Sequence, residues 1–250
     1  MPNRRIIIGD VHGHYEALIS LLEAIAPSQE DQIYFLGDLI DRGPHSAQVV
    51  QFVISNNYKC VLGNHEKMLL NTIGSGQVQR EELHVWLYCG GYSTLESYQN
   101  NIPQEHLTWF KELPLYLDLG DIWLVHAGVD PRLPIENQSS DQFCWIRKPF
   151  HGMTQPYFAD KLIVSGHTIT FTLPGVKPGK LAQGRGWIDI ETGVYHPKSG
   201  WLTALDIDQE QIHQINTKDR VYRCLSFKQG ITHIDPSKIN DLKDIDENLE

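Results

Sequence analysis

Residues 6–13 read IIIGDVHG, and residues 33–43 read IYFLGDLIDRG. In both, a short apolar run ends at a glycine and the next residue is an aspartate. Runs this short, rich in Ile and Leu and closed by glycine, read as buried strands rather than helices. The pattern recurs as CVLGNHE at 60–66, IWLVHAG at 122–128 and LIVSGHT at 162–168. The strands so predicted are Ile6–Ile8, Ile33–Leu36, Val61–Leu62, Ile122–Val125 and Leu162–Val164. Each delivers a metal-ligand type of residue just past its carboxyl end.

Helical patterns lie between these strands. His14–Ile25 places Leu18, Leu21, Leu22 and Ile25 on one face, and Ala47–Ile54 and Lys67–Ile73 look similar. A β-α-β-α order predicts a layered α/β fold. Residues 74–114, with Trp86, Tyr88, Tyr92, Tyr98, Trp109 and Phe110, read as a mostly helical insertion beside the sheet. From Trp187 the chain turns strand-like again, at Trp187–Ile190, Trp201–Ile207 and Gln211–Ile215. The stretch 173–185 reads as a loop near the site entrance. Residues 1–234 are expected to form one domain, followed by an acidic tail over 235–250 that frays or lies on the surface as a helix.

In open α/β sheets, sites form in the crevice beyond the carboxyl ends of the strands. Five strand ends would bring Asp10, His12, Asp38, Asn64, His126 and His167 into one cluster there. Glycines before Asp10, Asp38, Asn64 and His167 would let the chain turn sharply and keep bulk away. Carboxylate and imidazole ligands suit Mn, Fe, Zn, Co or Ni. Asp10 and His12 stand at i and i+2, so an extended segment would turn both to one side. A pair of ions roughly 3.5–4 Å apart needs an anion between them, and Asp38 is the best candidate. A single DxH pair or one buried histidine is commonplace. Five such motifs in order, each after a strand, are not.

Composition narrows the function. The chain has 250 residues, enough for one large α/β domain, and a net charge of −10. That charge argues against nucleic-acid backbone binding, which needs a basic surface. No apolar run approaches the roughly 18 residues of a membrane span, and the N-terminus does not read as a signal peptide. The four cysteines are scattered, with no CxxC pair. Free thiols of this kind suggest a cytoplasmic location. No nucleic-acid or membrane partner is expected, and a monomer is.

GDVHG, GDLIDRG, GNHE, VHAG and SGHT together resemble the motif series of the phosphoprotein phosphatase family, within the calcineurin-like metallophosphoesterases, in its small bacterial and phage branch. The motifs span Gly9 to Thr168, about two thirds of the chain. The resemblance implies a β-sandwich flanked by helices, with the site at one sandwich edge. By motif, Asp10 and His12 would hold a first divalent ion, Asp38 would bridge, and Asn64, His126 and His167 would hold a second. Manganese is the first expectation for these ions, with Fe, Zn, Co, Ni or Mg also admissible. Arg42 would bind phosphate, His65 would be the general acid, and Asp41 would orient it. Arg147, in FCWIRKPF, best matches a second phosphate-binding arginine, ahead of Lys148 and Arg132. The family chemistry is hydrolysis of phosphomonoesters by direct attack of a metal-bridging hydroxide.

The leading expectation is thus a protein serine/threonine phosphatase, with tyrosine as a further substrate. The alternative is a symmetrical dinucleoside polyphosphate hydrolase or another small-molecule phosphoesterase. Those hydrolases tend to lose the Asp before Arg and to read GNHD, whereas Asp41 and Glu66 are both present here. A nuclease on the same scaffold is disfavoured by the acidic balance. A non-catalytic module is disfavoured because no ligand is lost.

Overall fold

Ile6, Ile7 and Ile8 are all fully buried, yet they face two different interiors. Ile6 and Ile8 belong to one apolar cluster and Ile7 to another. A strand alternates its side chains, so this one must be covered on both faces. The structure, a computed structural model describing residues 3–74 and 76–241, shows how.

The strands are β1 (Arg5–Ile8), β2 (Gln32–Phe35), β3 (Lys59–Cys60), β4 (Tyr116–Asp118), β5 (Ile122–Val125), β6 (Leu162–Ser165), β7 (Leu181–Gln183), β8 (Trp187–Asp189), β9 (Trp201–Asp206), β10 (Gln211–Asn216), β11 (Tyr222–Ser226) and β12 (Ile231–His233). Among the described residues they form two six-stranded sheets, ordered β11-β10-β9-β1-β2-β3 and β12-β7-β8-β6-β5-β4. β1, β2 and β3 run parallel, as do β5, β6 and β8; antiparallel strands flank them. Ile7, Tyr34 and Leu36 from one sheet meet Ile122, Leu124, Val164 and Ile188 from the other. This is the predicted sandwich core.

Helices cover the outer faces. α1 (Tyr15–Ile25) buries Leu18, Leu21, Leu22 and Ile25, the face its spacing predicts. It joins α2 (Ser46–Ser55), α3 (Asn64–Ile73) and the outer residues Ile6, Ile8 and Phe35. On the other side, α7 (Ser140–Trp145), α8 (Lys148–His151) and α10 (Pro236–Asn240) supply Phe143, Phe150 and Ile239 against Trp123, Val125, Ile163 and Trp187. Residues 74–114 contain α4 (Arg80–Trp86), a kinked connection over Leu87–Gly91 with its break at Gly90, α5 (Tyr92–Ser97) and α6 (Gln104–Glu112). A short α9 (Phe227–Gly230) precedes β12.

Several boundaries differ from expectation. The third strand is Lys59–Cys60 rather than Val61–Leu62. Val61 donates its N–H to Phe35 (3.1 Å), but Leu62 has left the ladder and donates to Pro114 (2.8 Å). The following helix begins at Asn64 instead of Lys67, because Glu66 accepts the Gly63 N–H and caps its first turn (3.2 Å). The stretch 173–185 is not all loop. Leu173 and Val176 are core residues, and β7 pairs with β8 and β12. In the expected tail, Asp235 caps α10 and Ile239 is fully buried; residues 242–250 lie outside the described residues.

Candidate metal centre

All five predicted ligand-bearing turns lie at the carboxyl ends of parallel strands: β1, β2 and β3 in one sheet, β5 and β6 in the other. The two sets meet across the sandwich edge, where the His126 ring donates Nδ1–H to the Leu36 carbonyl at 2.7 Å. Glycines let the turns themselves crowd together. Gly37 takes φ +90°, and a Cβ on it would sit 2.6 Å from the Gly63 amide nitrogen. Gly63 and Gly166 have no need of a positive φ. A Cβ there would collide with the carboxylates of Asp38 and Asp10 respectively.

Non-glycine residues also adopt left-handed backbone here: His12 (φ 45°), Asp38 (48°), Asp41 (72°), Arg42 (67°) and His167 (68°). Such conformations are costly and concentrate at functional sites. They correct one expectation. Asp10 and His12 do not share a face of an extended segment. The chain leaves β1, Val11 and His12 both donate their N–H groups to the Asp38 carbonyl (3.1 and 2.9 Å), and His12 turns back in the left-handed region.

Asp38 is central. Its Oδ2 lies 3.4 Å from His126 Nε2, 3.7 Å from His12 Nε2 and 3.9 Å from His65 Nε2. A ring nitrogen or carboxylate oxygen from each of His12, Asp38 and His65 lies within 4.8 Å of the others, and the same holds for Asp38, His126 and His167. Asn64 Oδ1 is 2.8 Å from His126 Nε2 and 3.0 Å from His167 Nδ1. Asp10 accepts the His167 N–H (3.1 Å).

This donor set fits cations. His12 donates Nδ1–H to Ile40 (2.9 Å) and His126 donates its own to Leu36. Each Nε2 is therefore a lone pair turned inward, the tautomer of a metal ligand. His126 Nε2 and Asn64 Oδ1 then bring two acceptors together with no proton between them, an arrangement that a cation relieves. Burial holds His12, His126 and His167 below the usual histidine range, so they stay neutral. Burial, then Glu191, Asp38 and Asp189, pushes the Asp10 carboxyl well up. Crowded buried carboxylates call for positive charge.

A second layer surrounds the first. His65 donates Nδ1–H to Asp41 Oδ2 at 2.6 Å. Burial alone would lower His65, but Asp38 and Asp41 outweigh it and hold the ring above its usual value. The Arg42 guanidinium lies 4.1 Å over the Tyr195 ring, and its buried Nε has no hydrogen-bond partner among the described residues. Tyr195 also meets His12 edge-on at 4.9 Å. Arg147 donates to Thr168 Oγ1 (3.2 Å), beside His167, and its charge helps lower His126 and His167. Its competitor Arg132 is 77% exposed and paired with Asp130 at 2.6 Å.

The structure thus gathers Asp10, His12, Asp38, Asn64, His126, His167, Asp41, His65, Arg42 and Arg147 at one sandwich edge. Sequence reasoning missed their support. Glu66 accepts N–H groups from Asp38 (2.9 Å), Leu39 (2.8 Å), Ile40 (3.3 Å) and Gly63 (3.2 Å), which pins the Asp38 turn. Burial and Asp38 raise its carboxyl, yet four converging donors fit the ionised form. Its signal was its place at the third helical position of GNHE. Asp189 and Glu191, both buried, lie behind Asp10, with Asp189 Oδ2 2.9 Å from His151 Nε2. Tyr195, Asp189 and Glu191 lie in no motif.

Comparison with known proteins agrees with this geometry. Residues 4–187 match the calcineurin-like phosphoesterase family. A symmetrical bis(5'-nucleosyl)-tetraphosphatase from Psychromonas ingrahamii is 34% identical over 137 residues, 52% of this chain and 46% of that protein. The chain thus spans about half the length of the curated relatives it matches. Among solved structures, a putative diadenosine tetraphosphatase superposes with a TM-score of 0.62 at 22% identity, covering 90% of this chain and 94% of its own. A protein serine/threonine phosphatase from Saccharomyces cerevisiae superposes with 0.56 at 15%, covering 90% and 80%. These two superpositions establish the shared fold. With the motif turns, the donor set and the matched span in agreement, the chain belongs to the calcineurin-like phosphoesterases, hydrolases that bind two divalent metal ions.

Proposed function

We propose that Asp10, His12, Asp38, Asn64, His126 and His167 hold two divalent ions, with Asp38 shared, and that the chain cleaves dinucleoside polyphosphates symmetrically. The observation that carries the substrate is a basic strip continuing outward from Arg42. His196 follows Tyr195, and burial first, then the positive charges of Lys198, Lys218 and Arg42, hold its ring below the usual histidine value. Lys198 donates its N–H to His196 (3.0 Å), and the Lys218 ammonium rests on the Pro197 carbonyl. In a chain of net charge −10, this local reversal of sign suits a phosphate chain extending beyond the reacting group. The likeness to named tetraphosphatases supports the same reading.

When bound, the ions would lower the pKa of water towards neutrality and neutralise phosphoryl oxygens. The chain's own residues do the rest. Arg42 and Arg147 offer planar guanidinium forks to the phosphoryl oxygens. The Tyr195 ring packs against the Arg42 guanidinium and steadies it. His65, its Nδ1–H tied to Asp41, presents Nε2–H to the leaving oxygen. We also take manganese as the working metal and the cytoplasm as the location.

A second reading, a serine/threonine phosphatase that also accepts phosphotyrosine, is favoured by the His65–Asp41 pair at 2.6 Å. A nucleoside diphosphate leaves readily, whereas a serine alkoxide needs protonation, and the pair supplies it. One assay decides. Metal-stripped protein is reloaded with Mn, Mg, Zn or Ni and given p-nitrophenyl phosphate, phosphoserine and phosphotyrosine peptides, and diadenosine tetraphosphate. The highest kcat/KM on diadenosine tetraphosphate, with ADP as the product, is expected. Phosphopeptides ranking above it would replace the first reading with the second.

A further inference from the structure

We infer that Thr94 and Trp86, both from the segment 74–114, are positioning residues that lock Asp41 so that His65 presents Nε2 to the leaving group. This rests on reading His65 as the general acid. The segment grips the GDLIDRG turn at three points. Trp86, the last residue of α4, donates Nε1–H to Asp41 Oδ2 (2.9 Å) and Oδ1 (3.1 Å). Thr94, in α5, donates its hydroxyl to Asp41 Oδ1 (2.5 Å) and accepts the Asp41 N–H (2.8 Å). The Gly90 carbonyl accepts the Arg42 N–H (3.2 Å).

Thr94 therefore closes a ring between the backbone and the carboxylate of one residue, which fixes the Asp41 side-chain torsions. Ser46 Oγ takes a second share of the Asp41 N–H (3.1 Å). Asp41, Ser46, Trp86 and Thr94 are all fully buried, which keeps these bonds out of bulk solvent. With Oδ1 held by Thr94 and both oxygens by Trp86, Oδ2 is left aimed at His65 Nδ1 (2.6 Å). A freed carboxylate could swing, and the imidazole would swing with it.

The GG pair at 90–91 permits this grip. Gly90 takes φ +111° at the kink between α4 and α5, and a Cβ on it would press on Arg42 Cγ at 2.8 Å. A Cβ on Gly91 would strike the Trp86 indole at 2.6 Å. The segment thus builds part of the acid's support as well as packing the fold.

The test compares Thr94→Val, Thr94→Ser and Trp86→Phe with His65→Asn as reference, on β-glycerophosphate (poor leaving group) and p-nitrophenyl phosphate (good leaving group). General acids contribute roughly 10²–10⁴-fold, so partial misalignment should cost about tenfold more in kcat on the alkyl ester than on the aryl ester. Thr94→Ser, which keeps the hydroxyl, should recover most of it. In metal-free protein, the downfield proton resonance of His65 Nδ1–H should move in Thr94→Val and Trp86→Phe and return in Thr94→Ser. Equal losses on both esters in Thr94→Val and Trp86→Phe, or an unmoved resonance, would overturn the inference. If His65→Asn loses both esters alike, the acid reading fails instead, and the resonance alone then decides whether Thr94 and Trp86 position the pair.

Discussion

Replacing Glu66 by Gln should loosen the Asp38 turn by a predictable amount. The buried Glu66 carboxylate accepts two N–H groups on each oxygen: Leu39 and Ile40 on Oε1, Asp38 and Gly63 on Oε2. A glutamine must place its NH₂ where one oxygen stood, whichever way it is turned. Two backbone N–H groups then face a donor. Each orphaned buried donor costs about 1–3 kcal/mol, so Glu66→Gln should lose about 2–6 kcal/mol. That is a large share of the roughly 5–15 kcal/mol that holds a domain together. At about 2–4 °C per kcal/mol for a chain of this size, the thermal midpoint should fall by roughly 5–20 °C. Circular dichroism melting in a chelator measures this without metal, and Mn²⁺ titration of the same protein should show weaker binding because Asp38 rides on the loosened turn. A midpoint within about 2 °C of the parent, with unchanged Mn²⁺ affinity, would refute the view that Glu66 anchors the Asp38 turn.

Other expectations follow from the same geometry. Asp38→Ala should abolish both Mn²⁺ binding by calorimetry and phosphatase activity; an active, metal-loaded variant would remove Asp38 from the shared position. Gly166→Ala drives a methyl into the Asp10 carboxylate and should weaken metal binding while the far-UV spectrum stays native. At acid pH, Asp31 matters. Arg4 hydrogen-bonds its carboxylate (2.7 and 3.1 Å), and with the Arg4 and Ser28 N–H groups this holds Asp31 well below the usual carboxylate range, against burial. A depressed folded pKa means a contribution fully present above about pH 4 and lost as pH falls below it. Asp31→Asn should therefore flatten the acid limb of a melting-temperature profile between about pH 4 and pH 2; an unchanged limb would show that the ion pair carries none of it.

The meeting of the six motif residues at one edge was legible in the sequence because their signals are local, and the sandwich was implied by the motif series as a whole. An apolar run, a glycine and a ligand type are neighbours, and parallel strands bring such ends together whatever else the chain does. Arg147 could be matched by motif, but only its bond to Thr168 separates it from Arg132, which turns to Asp130. The tertiary structure decided the rest. The left-handed turns at His12, Asp38 and His167 arise from backbone bonds between separate strand ends, which no residue type there announces. Trp86 and Thr94 reach Asp41 across 45 and 53 residues, and Tyr195 reaches Arg42 from a loop beyond the last motif. Substrate preference belongs with that second group. A ligand set is written in short segments, while the surface that chooses a substrate is assembled from distant loops whose meeting only the packed fold determines.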